Sequence, residues 1–238
     1  MRTEEKLVAV GVGAGSEVIV PSYATAGAAE AVRNVGALPV FADIDPVTFC
    51  LDPASVAGAV TSRTAAIVPV SLFGHPADLA ALRHVAAGRT LPVIDHVENI
   101  EHVEPEELAR RRSNAACLDA RLSGVVTPTA APGAVHRYDS YVVRVPGNGR
   151  PDRDAFARAL RARGVRCHVP VQTPVHRLPS FMRDMQNMRN MRELWLPETE
   201  RAADECLALP MDDISSRRDL QRLVSACNTL GGLLPAAA

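Results

Sequence analysis

The chain has 238 residues, 47% of them apolar, which is enough to build a core in one large domain or in one domain with a smaller companion. A formal net charge of -1 and a pI near 6.7 leave no basic field of the kind that holds nucleic acid or anionic lipid, so neither is expected as a partner. The N-terminal "MRTEEKLVAVGVGAG" is too short for a membrane span and lacks a signal peptide's basic start. Five cysteines (Cys50, Cys117, Cys167, Cys206 and Cys227) without CxxC spacing read as reduced thiols, so a cytoplasmic chain is expected.

Short β-branched runs alternate with helical patterns through the first half. Strands are predicted at 17–21 (EVIVP), 38–45 (LPVFADID), 65–73 (AAIVPVSLF) and 91–95 (LPVID). Between them lie helical stretches at 25–36, closed by Gly36, at 52–60, with Asp52 as N-cap and Pro53 behind it, and at 75–88, ending at Gly88. Near-continuous apolar strands joined by helices predict a parallel sheet covered on both faces. Ligands in such sheets bind beyond the carboxyl ends of the strands, here "PSY" with Tyr23, "DID", "SLFGH" and "DHVEN". The "GVGAG" at 11–15 precedes a strand instead of opening a helix, and so reads as a turn, not a dinucleotide loop.

The second half changes character. A polar, Arg-rich helix begins at Pro105, a strand follows at 139–145, and a helix spans 152–164. After a Pro- and Met-rich passage at 168–197 come a helix near 198–206, the short strand "LALPM" and a last helix from about Ser216 to Leu230. The expected domains are 1–104, an α/β unit with a parallel sheet, and 105–238, a small α+β unit. Met182, Met185, Met188 and Met191 recur every three residues, as on a helix face packed against something adaptable.

The order "GxGxGxEVIVPS", "GAxPVFxDID", "TxxTAxIVPV" and "GxPADL", with "RRRSNAACLDARL" and "GAVHRYDSYVVRV" later, resembles the DegT/DnrJ/EryC1/StrS sugar aminotransferases. The resemblance implies a reduced fold type I large domain, of the kind that binds pyridoxal phosphate (PLP), a small C-terminal domain, a dimer, and a place in deoxysugar or natural-product biosynthesis. It also implies a lysine after the "VID" strand that forms the cofactor's internal aldimine, a task arginine cannot perform. Of 26 basic residues only Lys6 is a lysine, and it stands before the first strand. The acid that faces the pyridine nitrogen in the family aligns with His96, the ring-stacking residue with Thr25, and the phosphate-binding turn with positions before residue 1. No cofactor is therefore expected.

The stretch "LPVIDHVENIEHVEPEE" at 91–107 supplies the alternative chemistry. Asp95, His96 and Glu98 form a candidate acid–base site at a strand end, weighed against the reading that they are solvated charges on a loop. His96 and His102 with Glu98 or Glu101 fit no familiar ligand run, and no metal is expected. Tyr23, His136, Tyr138 and His176 are candidate substrate-binding residues, His136 and Tyr138 through the resemblance and His176 as a flank of the Pro-rich loop. Three functions stay open: a PLP-independent accessory or repurposed protein bound to itself or to a full-length homologue, a PLP-free acid–base enzyme acting on a small molecule, and a half-aminotransferase completed by a partner's lysine.

Overall fold

The protein, seen in a computed structural model, is described for residues 1–96, 103–186, 194–211, 214 and 216–231. It divides into two compact units. The first comprises Met1–Leu72, Pro76–Ile100 and Thr173–Glu200, and the second Phe73–His75, Glu101–Gln172 and Arg201–Ala238. Residues 173–197 of the Pro-rich passage thus belong with the first unit, where the sequence places one break after residue 104.

In the first unit α1 (Thr3–Ala9), α2 (Gly27–Asn34), α3 (Pro53–Ala59) and α4 (Leu79–Ala87) accompany β1 (Glu17–Pro21), β2 (Leu38–Ala42) and β3 (Thr64–Ile67). The strands pair in parallel in the order β2-β1-β3. Residues 92–96 run parallel beside β3 and the stretch after it, through Ile67 N–H to Pro92 O (3.0 Å), Ile94 N–H to Ile67 O (2.9 Å) and His96 N–H to Pro69 O (2.9 Å). Val18, Ile19 and Val20 are wholly buried. Removing each from water contributes roughly 1.5–3 kcal/mol, which is why so short a strand holds the centre.

Helix starts follow the local chemistry. The Asp52 carboxylate accepts from Ala54 N (3.2 Å) and Ser55 N (2.9 Å) with Pro53 at the first helical position. Asp78 accepts from Ala81 N (2.9 Å), so α4 begins at Leu79 and not at His75. The same unit holds a single 3-10 turn at Val175–Arg177, α7 (Pro179–Gln186) and the start of α8 (Pro197–Glu205). Met188 and Met191 of the predicted methionine stripe lie outside the described residues.

In the second unit α5 (Pro105–Asp119), α6 (Arg150–Ala162) and α9 (Arg217–Gly231) surround β4 (Tyr141–Arg144), paired antiparallel with β5 (Cys206–Leu209). Single bridges add Val126 beside Arg144 and His168 beside Ala208. Leu220, Leu223, Val224, Cys227 and Leu230 repeat at helical spacing on α9 and pack with Phe156 and Leu160 of α6 and with Leu118 of α5. Arg153, also buried, donates to the carbonyls of Ala203 and Cys206 (3.1 Å each).

Candidate functional site

The carboxyl end of the segment beside β3 carries two titratable side chains of the first unit. Asp95 and His96 end the segment beside β3, while α1 lays Thr3 and Lys6 against them. Thr3 Oγ1 lies 2.9 Å from His96 Nδ1, and Lys6 Nζ donates to the Asp95 carbonyl at 3.4 Å. A β-carbon on Gly27, the first residue of α2, would sit 3.3 Å from His96 Nε2. The imidazole is therefore pressed against the start of that helix, and a larger residue at 27 would force the ring to give way. Asp95 Oδ1 is buried with no hydrogen-bond partner among the described residues. Burial raises the Asp95 carboxyl above its ordinary range, against the opposing pull of Lys6, His96 and Arg83.

Glu98, the third member of the expected acid–base set, lies outside the described residues. Tyr23 has no exposed surface, and its ring stands 5.9 Å from Phe49, so the structure places it in the core. His176 belongs to the same unit and sits in an array the sequence reading missed. Ser22 Oγ is 2.6 Å from Nδ1 and accepts the His176 backbone N–H at 3.1 Å, while Nε2 faces Glu200 Oε1 at 2.9 Å. Ser22 is fully buried, and this serine–histidine–carboxylate chain ties the Pro-rich passage to the end of β1. Burial lowers the His176 pKa, with Glu200 acting the other way.

His136 and Tyr138 lie in the second unit. Their rings stack with centroids 4.0 Å apart, and His75 meets His136 edge-on at 5.3 Å. The His136 Nδ1 accepts the Tyr138 backbone N–H at 2.9 Å, which fixes the proton of the neutral ring on Nε2. Its pKa falls to about 4, first through burial and then through His75 and Arg112. No signal in the sequence pairs Ser22 with His176, or Thr3 with His96, because each pair spans a separation far beyond any local periodicity.

Among the described residues no helix is long and apolar enough to cross a membrane, and no group of three His, Cys, Asp or Glu side chains is placed to hold a metal.

Comparison with known proteins matches the chain to the model of the DegT/DnrJ/EryC1/StrS aminotransferase family at residues 4–97 and 96–228. The chain belongs to that family. A pleiotropic regulatory protein of Geobacillus stearothermophilus is 28% identical over 291 positions, covering 86% of this chain and 76% of its own length. That alignment is longer than the 238-residue chain, so the relative carries residues with no counterpart here. An L-glutamine:2-deoxy-scyllo-inosose aminotransferase of Streptomyces lividus is 51% identical over 89 residues, 37% of this chain and 21% of that protein. The crystal structure of 3-amino-5-hydroxybenzoic acid synthase superposes with a TM-score of 0.82 at 19% identity, over 97% of this chain and 84% of that one. The fold is that of the fold type I PLP aminotransferases, an α/β architecture built on a parallel sheet.

PLP in this fold takes a lysine amine for its aldehyde and an acid for its pyridine nitrogen. The residues here do not fit it. The acid's aligned place holds an imidazole committed to Thr3 and packed on Gly27. The chain's single lysine amine is engaged by the Asp95 carbonyl.

Proposed function

We propose that this chain is an aminotransferase-like protein of deoxysugar or natural-product biosynthesis that works without PLP, as an accessory or repurposed member of its family. The observation that carries the reading is the Thr3–His96–Gly27 contact, which fills the place of the acid with a neutral-capable ring held on both sides. In this reading the chain pairs with itself or with a full-length homologue in the cytoplasm. Size-exclusion chromatography with light scattering, alone and mixed with a full-length homologue, tests the pairing. A monomer under both conditions would remove the accessory role.

A second reading is favoured by Asp95 Oδ1, buried without a hydrogen-bond partner among the described residues. A half-buried carboxylate with a raised pKa, next to a histidine, has the make-up of a proton-transfer site for a small polar substrate. In this reading Asp95 and His96, the latter held by Thr3 through Nδ1, share the proton transfer. Lys6 contributes positive charge that keeps Asp95 ionisable. Screening turnover of keto-sugar nucleotides by wild type and His96→Gln tests it: turnover lost in the variant supports the assignment, and turnover retained refutes it.

A further inference from the structure

The second unit holds a cavity of about 320 Å³ lined by Arg112, Ala116, Asp119, Ala134, His136 and Tyr138, among others. Arg112, Ala116 and Asp119 stand at i, i+4 and i+7 on α5, so one helix face presents a cation, a gap and an anion in turn. The Arg112 Nε donates to the His136 carbonyl at 3.1 Å, which anchors the side chain. Its Nη2 is buried and has no hydrogen-bond partner among the described residues. A guanidinium cannot shed its charge, and a buried N–H without an acceptor is costly, so an oxygen anion placed there would be held well.

At the other end Asp119 Oδ1 accepts from the Tyr141 hydroxyl at 2.6 Å. Burial raises its carboxyl above the ordinary range, a strain that a nearby cation would relieve. The methyl groups of Ala116, Ala130 and Ala134 give the space between an aliphatic lining. Tyr138 lines the cavity in a left-handed conformation, with φ of 51°, that bulky residues adopt only when their surroundings enforce it. Gly74 packs closely on this stretch: a β-carbon there would fall 2.7 Å from Asp139 N and 2.8 Å from Tyr138 N. A left-handed wall residue, a guanidinium nitrogen without an acceptor among the described residues and a carboxylate line one small hollow.

We infer that this cavity is a binding site for a short aliphatic zwitterion of the ω-amino acid type, its carboxylate on Arg112 and its ammonium toward Asp119. A ligand with two anionic ends would be repelled by Asp119, and one with two cationic ends by Arg112. The inference stands whether or not the first unit is catalytic.

Isothermal titration calorimetry of the full chain with 4-aminobutyrate, butyrate and butylamine tests it. The expected result is saturable binding of 4-aminobutyrate, roughly tenfold or more tighter than either one-ended analogue, the size of one charge-assisted contact. Ala116→Leu fills the hollow from an exposed position and should abolish binding with the circular dichroism spectrum unchanged. Asp119→Asn keeps the Tyr141 contact and should bring 4-aminobutyrate down to the affinity of butyrate. No saturable heat from 4-aminobutyrate, equal affinity for butyrate, or undiminished binding by Ala116→Leu would each overturn the assignment.

Discussion

Thr3 shows how much a single hydroxyl sets at the strand-end site. Its bond to His96 Nδ1 fixes the ring against Gly27, and Thr3→Val keeps the shape while leaving a ring nitrogen without its partner. Such a change costs roughly 1–3 kcal/mol. Thermal unfolding should show a fall of about 2–4 °C per kcal/mol for a chain of this size. An unchanged midpoint would mean that His96 has another anchor. His136 carries a pH signature of its own. Its folded pKa lies near 4 against an ordinary 6.5, so the unfolded chain binds a proton more readily throughout that interval. Stability is then fully present above the unfolded value and is lost as pH falls from 6.5 toward 4. The loss is on the order of 3 kcal/mol, and His136→Gln should flatten it in urea titrations across that range. Asp95 and His96 were legible as a strand-end pair from "LPVIDH", because period and position alone put them on the rim. Their partners were not: Thr3 and Lys6 arrive on α1, and nothing local in the sequence announces the meeting.

Helices and strands were readable where local rules suffice. Asp52 with Pro53, and Gly36 with its φ of 78°, mark ends that a sequence announces by residue type. The Pro-rich passage was not readable, since its ties reach across the chain. Asp43, expected on the functional rim, instead caps α8 by accepting from Glu198 N (2.9 Å) and Thr199 N (2.8 Å). Asp43→Ala should therefore lower stability by about 1–2 kcal/mol without touching the Asp95–His96 pair. Chemical denaturation measures this, and a loss below a few tenths would deny the capping role. Gly74 is the sharper case at this scale. Its φ of 90° and its approach to two backbone nitrogens leave a side chain neither a conformation nor a space. Gly74→Ala should cost more than about 2 kcal/mol, read as a shifted urea midpoint, and should release Tyr138 from its left-handed wall.

For the whole molecule, the ordered motifs from "GxGxGxEVIVPS" to "GxPADL" identified family and fold, because they combine sheet periodicity, turn glycines and caps in one sequence of elements. Function was less legible. The same motifs describe the scaffold of an aminotransferase, whereas the chemistry rests on a few side chains; at the strand end these are His96 beside Thr3 and Lys6 beside the Asp95 carbonyl, contacts that no motif encodes. The account turns on whether any amine in this polypeptide can capture the cofactor's aldehyde. Titrating the purified chain with PLP, reducing with borohydride and mapping the peptides by mass spectrometry measures that directly. The account predicts no saturable aldimine absorbance and no stoichiometric pyridoxyl adduct; a stoichiometric adduct on Lys6 would contradict it.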